Sequence, residues 1–159
     1  MLARHSPAGR VEKFEYNAAH GQLSRYTAAD GAEWQYCYDE RGLPVSLVSP
    51  QGEETRLAYT PQGLLSGIFR QDERRLGIEY DHHNRPETLT DVMGREHHTE
   101  YSGHDLPVKM RGPSGQSVRL QWQQHHKLSG IERAGTGAEG FRYDRHGNLL
   151  AWTDGNGVV

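Results

Sequence analysis

The amino-acid sequence predicts an all-β fold, a continuous antiparallel sheet of 21-residue β-hairpin repeats, from three observations. Aromatic residues recur as Tyr16, Tyr38, Tyr59, Tyr80, Tyr101, Trp122 and Tyr143, with a first interval of 22 and five of 21. Apolar and polar residues alternate with period two beside these anchors, which is strand spacing. Residues that accept a positive φ return twice per repeat, so two turns are expected in each.

Two further columns keep the same register. Phe14, Tyr36, Leu57, Ile78, Thr99, Leu120 and Phe141 lie two residues before the anchors, and only Thr99 is polar. Leu47, Ile68, Leu89, Met110, Ile131 and Trp152 lie nine residues after, and Tyr26 joins them if the longer first repeat carries one insertion. Gly9, Gly31, Gly52, Gly94 and Gly115 stand seven residues before an anchor, with Glu73 and Thr136 as exceptions. Four residues after the anchors come Gly42, Gly63, Asn84, Asp105 and Gly147, with His20 and His126 in the other two places. The expected structural anchors are therefore the seven aromatic positions together with Gly31, Gly52, Gly94 and Gly115.

Along the chain, residues 1–15 read as the second half of a truncated repeat, with Gly9 at its turn. Trp34, Tyr36 and Tyr38 alternate as one strand, and Leu43 to Val48 form its return. Leu76, Ile78 and Tyr80 repeat that alternation, as do Val118, Leu120 and Trp122, while Leu106 to Met110 form another return. Prolines 44, 61, 86, 107 and 113 fall at turns or strand beginnings, where a missing N–H harms a ladder least. No window of ten residues combines helical spacing with caps, so helix is expected to be nearly absent. Residues 1–159 thus read as one array of about six full repeats, ending midway through another at 156–159. With two strands per repeat at roughly 4.8 Å, such a ribbon extends on the order of 60 Å along its stacking direction, too short to close.

Composition excludes several classes. Leu, Ile, Val and Phe total 28 of 159 residues, below the fifth that an ordinary core needs, so any core is thin. The charged residues, 18 basic and 21 acidic, leave a net −3, which offers no basic footprint for nucleic acid. A single cysteine forms no internal disulfide, and no stretch approaches the 18 or so apolar residues of a membrane helix. Met1 to Arg10 shows no export signal.

The residues that invite a chemical reading are histidines, Cys37, acidic pairs and a glycine cluster. His83, His104, His125 and His146 form a column of step 21, but equivalent positions of successive repeats stand roughly 10 Å apart, too far to share one metal ion. They are expected at exposed turns, with no metal or cofactor. Cys37 lies on the opposite strand face from Tyr36 and Tyr38 and is expected as a partly buried thiol without a base. Glu53-Glu54 and Asp72-Glu73 are expected as solvated charges near turns. Gly135 to Gly140 resembles a phosphate-binding loop only superficially, because Phe141-Arg142-Tyr143 continues it as a strand where such a loop needs a helix. No catalytic residue is expected. The aromatic column is expected to pack with the residues two before it on one face; stacking on sugars is the other use of such a column.

Tyr38-Asp39 with Gly42, Tyr80-Asp81, and Tyr143-Asp144 with Gly147, Asn148 and Leu149 resemble the YD repeat of Rhs proteins, a resemblance that runs from Gly9 to Gly157. The aspartate is replaced by Asn17, Thr60, Ser102 or Gln123 elsewhere. What the resemblance implies is an open segment of a spiral β-sheet shell, as in bacterial Rhs toxins, the C subunits of insecticidal toxin complexes and the teneurins. By the same resemblance the function is structural and non-enzymatic, a wall around a C-terminal toxin that is secreted or delivered into target cells. Its partners would be the remainder of its own array and the enclosed toxin segment, with self-association through open sheet edges. A carbohydrate- or protein-binding repeat module at a cell surface is the alternative.

Overall fold

The computed structural model describes residues 2–5 and 11–155; Gly9, Gly157 and the chain end at 156–159 lie outside them. Fifteen strands follow in chain order: β1 (Leu2–His5), β2 (Val11–Tyr16), β3 (Leu23–Thr27), β4 (Glu33–Tyr38), β5 (Pro44–Val48), β6 (Glu54–Tyr59), β7 (Leu65–Arg70), β8 (Glu73–Tyr80), β9 (Pro86–Thr90), β10 (Glu96–Tyr101), β11 (Pro107–Arg111), β12 (Ser117–Gln123), β13 (Lys127–Arg133), β14 (Gly137–Tyr143) and β15 (Leu149–Thr153). They form one sheet whose strand order is the sequence order. The chain divides into two compact units, Met1–Gly77 and Ile78–Val159. Among the described residues the only helical segment is a 3-10 turn, Gln124–His126. Pro44, Pro86 and Pro107 each begin a strand, where the ladder loses least.

Six of the seven anchors end a strand because the turn chemistry follows them directly, and Trp122 is the last residue but one of β12. At Asp39 the backbone N–H donates to the Leu43 carbonyl and the Gly42 N–H donates back to the Asp39 carbonyl, with Gly42 at φ 81°. The same geometry returns at the second turn, where Gly31, Gly52, Gly94 and Gly115 have φ of 89°, 80°, 74° and 84°. Asn84 and Asp105 hold the left-handed position at 63° and 60°, as short polar side chains can. Where Glu73 interrupts the glycine column the hairpin is a two-residue turn, Gln71-Asp72, both at positive φ.

One of the two histidine slots needs correction. His20 does not occupy the left-handed position; Gly21 does, at φ 64°, because the extra residue of the first repeat lengthens its loop. At the other histidine slot both His125 and His126 are left-handed, at 62° and 58°, in a turn with no side-chain cap. The two kinds of position respond oppositely to substitution. Gly115→Ala meets open space, so only backbone strain acts, and unfolding should show a loss of about 1 kcal/mol. His126→Gly relieves such strain and should gain up to about 1 kcal/mol in urea unfolding.

The columns seen in sequence become rows of cross-strand neighbours. Phe14 faces Tyr26, Tyr36 faces Leu47, Leu57 faces Ile68, Thr99 faces Met110, Leu120 faces Ile131 and Phe141 faces Trp152. On their other side Tyr26, Ile68 and Met110 face Trp34, Leu76 and Val118. At six of the seven anchors the residue two before is thus joined across the ladder to the column nine after it. Phe14, Tyr26 and Trp34 form a run of rings with centroids 5.1 and 5.3 Å apart.

This apolar face has one layer. Among the described residues no apolar side chain is buried, whereas Met110 is 47% and Trp152 48% exposed. A sheet side with nothing packed on it cannot hide its apolar row, and the thin core read from composition takes this form.

A further feature recurs without a residue signature. The register shifts by one between Glu15 and Tyr16, Cys37 and Tyr38, Ala58 and Tyr59, Glu100 and Tyr101, Gln121 and Trp122, and Arg142 and Tyr143. Each shift leaves one residue unopposed on the return strand, for example Val45 between Pro44 and Ser46. A β-bulge of this kind bends its strand and strengthens the local twist.

Candidate functional site

The anchors are organised as a ladder that ties each hairpin to the one before. The hydroxyl of Tyr38 donates to the Leu23 carbonyl at 2.9 Å, that of Tyr59 to Pro44 at 2.7 Å and that of Tyr101 to Pro86 at 2.8 Å. The indole N–H of Trp122 donates to the Pro107 carbonyl at 2.7 Å, which is how tryptophan takes a tyrosine's place. The acceptor lies fifteen residues back each time. Leu23, Pro44 and Pro107 are also the residues opposite Tyr16, Tyr38 and Tyr101 at the bulges. One hairpin's bulge therefore presents the carbonyl that the next anchor reads. Burial pushes the phenols of Tyr59 and Tyr101 above their ordinary pKa, with Asp39 and Asp81 respectively adding to the rise.

The residue after the anchor caps the turn. Asp39 Oδ1 accepts the N–H groups of Arg41 and Leu43, Asp81 Oδ1 those of His83 and Arg85, and Asp144 Oδ1 those of His146 and Asn148. Where aspartate is replaced, Asn17 Oδ1 accepts from His20 N–H, Thr60 Oγ1 from Leu64 N–H, and Ser102 Oγ from His104 and Leu106 N–H. A short side chain with one acceptor oxygen is all the turn requires. Asp91 does the same at the opposite turn, accepting from Met93 and Arg95.

Arg85 joins both systems. Its Nε and Nη2 reach Asp81 Oδ2 at 2.7 and 2.6 Å, and its Nη1 reaches the Ser102 carbonyl and Asp105 Oδ1, each at 2.9 Å. Its guanidinium also lies 4.8 Å from the centre of the Tyr101 ring. Lys127 repeats this over Tyr143 at 5.2 Å, and Gln22 donates to the Gly42 carbonyl at 2.7 Å.

Partial burial opposes ionisation of Asp81, yet the Arg85 guanidinium and the Arg85 and His83 N–H groups outweigh it and hold the carboxyl at about 2. Asp39 and Asp91 lie below the ordinary range chiefly through backbone N–H donation from Leu43 and Arg95, and Asp144 through its bonds from Asn148. A carboxyl depressed on folding stabilises fully above its unfolded pKa, and that contribution disappears as pH falls through the folded one. Thermal stability should therefore drop between about pH 4 and about pH 2. Asp81→Asn, which keeps an acceptor oxygen without the charge, should lose stability at neutral pH and flatten the acid drop.

Other candidate residues do not converge. Cys37 is exposed, which corrects the expected partial burial: its strand face, like the apolar one, has nothing packed on it. Glu54 accepts from Ser46 at 2.6 Å, Glu53 lies 3.7 Å from Arg70, Asp72 pairs with Arg56 and Glu73 with Arg75, so neither acidic couple acts as a unit. Within Gly135 to Gly140 the chain passes from a turn into β14. Among the described residues no group of three His, Cys, Asp or Glu side chains is placed to hold a metal. No helix among them is long and apolar enough to cross a membrane. The carbonyl-reading role of the anchors, the bulges and the Arg85 clasp were not visible in the sequence; only the proline or leucine fifteen residues before an anchor hinted at them.

Comparison with known proteins agrees with this repeat. The RHS Repeat family model matches residues 16–54. The chain is 30% identical to the probable deoxyribonuclease RhsB of Dickeya dadantii over its whole length, covering 13% of that protein. It is 31% identical to the toxin protein Tse5 of Pseudomonas aeruginosa over 95% of its length, covering 12% of that protein. Among solved structures, TcdB2-TccC3-Cdc42 superposes on 91% of the chain with a TM-score of 0.76 at 13% identity, and the chain covers 9% of it. A Tc holotoxin pore of Photorhabdus luminescens superposes with a TM-score of 0.74 at 14% identity over the same shares. With a ladder of aromatic anchors at steps of 21 or 22 residues, a side-chain-capped turn after six of the seven, and relatives that are Rhs proteins, the chain belongs to the RHS-repeat family.

Proposed function

We propose that the chain is wall material, a non-enzymatic segment of a repeat shell that encloses a C-terminal toxin for delivery by bacterial secretion. The observation that carries this reading is a continuous sheet with an apolar row left open on one side and a bulge at nearly every anchor. Bulges of one kind, at the same place beside six of the seven anchors, bend and twist the return strands that carry them, as a curved wall requires. A hydrogen-bonded sheet keeps proteases and partner proteins out without any reactive group. Single-layered strands at β1 and β15 carry ladder groups that suit pairing with further repeats of the same array. Two relatives bear on the cargo: one is named a toxin and another a probable deoxyribonuclease, and the chain spans only 12% and 13% of them.

The test is protease protection. In a protein that carries this array followed by its own C-terminal segment, that segment should survive trypsin under native conditions. Leu57→Pro, which removes a ladder N–H inside β6, should render it cleavable. Equal cleavage of the segment with and without the array would refute the wall reading.

A further inference from the structure

Successive anchor turns are tied together by side chains, and one junction lacks its tie. Gln22 donates to the Gly42 carbonyl, and Arg41 Nη1 donates to the Thr60 and Pro61 carbonyls at 3.3 and 3.2 Å. Arg85 reaches the Ser102 carbonyl and Asp105, and Lys127 lies over the Tyr143 ring. The next junction in the second unit joins the turn at 102–106 to the turn at 123–127. There the place of Arg85, five residues after the anchor, is taken by Leu106, and the place of Arg41, three after it, by His104. Among the described residues no hydrogen bond or cation–ring contact runs from a side chain of the first of these turns to the second.

An open cavity of about 480 Å3 lies at this junction. Leu106, Val108, Leu120 and Trp122 give it an apolar lining, and Ser102 and Gln123 are among its polar residues. No arginine, lysine, aspartate or glutamate lines it, so no cation of the chain already fills it. The Trp122 indole N–H is committed to the Pro107 carbonyl, which fixes the ring and leaves its π system as what it can offer a ligand. Of the aromatic side chains, tryptophan holds a cation best. The second turn is also the strained one, with His125 and His126 both left-handed and no side-chain cap, and strain of that kind gathers at binding positions.

What fills the corresponding space in other repeats defines the ligand. Over Tyr101 it is the Arg85 guanidinium at 4.8 Å, and over Tyr143 the Lys127 ammonium at 5.2 Å. Arg41 shows that the receiving turn needs no carboxylate, since both bonds it makes there are to main-chain carbonyls. We propose that the cavity beside Trp122 receives an arginine side chain carried by a peptide partner. The guanidinium stands over the indole and donates to oxygens of the 123–127 turn, and the methylene stem lies along Leu106, Val108 and Leu120. Arginine suits it better than lysine because a flat guanidinium stacks on a ring while donating in its own plane. Without a carboxylate the contact is weak, so a single arginine binds in the millimolar range. The site needs only the succession of turns in one unit and stands apart from the wall reading.

The test titrates the full chain, labelled with nitrogen-15, with an end-capped tripeptide of glycine, arginine and glycine, and with the same peptide carrying citrulline, the neutral isostere, in place of arginine. The indole N–H signal of Trp122 should shift along a saturable curve with the arginine peptide, while those of Trp34 and Trp152 stay in place. The citrulline peptide should bind at least about tenfold more weakly. Leu106→Arg supplies the missing tie from within the chain, at the place Arg85 holds one repeat earlier. It should move the Trp122 signal in the same direction without peptide and abolish the response to it. Equal responses to the two peptides would overturn the proposal, and that comparison needs no variant to fold. So would the lack of a saturable shift at Trp122, equal shifts of all three indoles, or an undiminished arginine response in folded Leu106→Arg.

Discussion

Tyr101→Ala is expected to destabilise the protein by about 2–3 kcal/mol, and Tyr101→Phe by about 1 kcal/mol. The difference follows from what each change removes. Phenylalanine keeps the half-exposed ring and its place beside the Arg85 guanidinium but leaves the Pro86 carbonyl without its 2.8 Å donor. A single neutral hydrogen bond is worth about 1 kcal/mol net. Alanine removes the ring as well, which would cost roughly 3–5 kcal/mol at a fully buried site and about half that here, together with the stacking on Arg85. Urea unfolding of the three proteins measures both values. Equal losses for alanine and phenylalanine would mean that the ring contributes nothing and only the hydroxyl matters.

Trp34→Ala should be of similar size, about 2–3 kcal/mol, for a different reason. Trp34 ends the run of rings that begins at Phe14 and passes through Tyr26, and the Tyr26 and Trp34 planes lie 27° apart. Trp34 makes its contact directly across the β3–β4 pair, so its loss also uncovers Tyr26. Trp34→Phe keeps a ring at that place and should recover more than half of the loss in thermal unfolding, whereas Trp34→Leu should recover less. Identical melting of the alanine variant and the parent would show that the ring run carries no stability.

Much of this fold is legible in the sequence because its energetics are local and periodic. An anchor, a short acceptor side chain and a left-handed residue within five positions specify a turn whatever the rest of the chain does, and the step of 21 repeats that instruction. Departures in the second letter of the motif, Asn17, Thr60 and Ser102, look like decay in sequence and prove equivalent in structure, since each offers the same acceptor oxygen. The bulge has no comparable signature. Ser24, Val45, Ser66 and Val108 share no chemistry, and their common property is a skipped position in the ladder. The insertion in the first repeat moves the left-handed site from His20 to Gly21, a one-residue shift that spacing alone misplaces. Cys37 was misread for a third reason: alternation says which face a side chain takes, but whether anything covers that face is decided by the layers around the sheet.

The candidate site was less legible than the fold. The anchors were found as a column, but their partner atoms are main-chain carbonyls, which have no sequence identity. Arg85 stood out in no pattern, because Leu43, Leu64 and Leu106 occupy its place in other repeats. Its ties to Asp81, Ser102 and Asp105 depend on two turns being neighbours in space.

Neighbouring hairpins zipped in a fixed register with one skipped residue at the anchors is the claim on which the rest stands, and cross-strand nuclear Overhauser effects read it directly. Contacts joining Thr99 to Met110, Leu120 to Ile131 and Tyr101 to Pro107, with Val108 left unopposed, are the expected result. A ladder displaced by one residue, or sequential contacts of helical spacing through Tyr59, Tyr80 and Tyr101, would contradict it, because either would turn the anchors away from the carbonyls they are said to read.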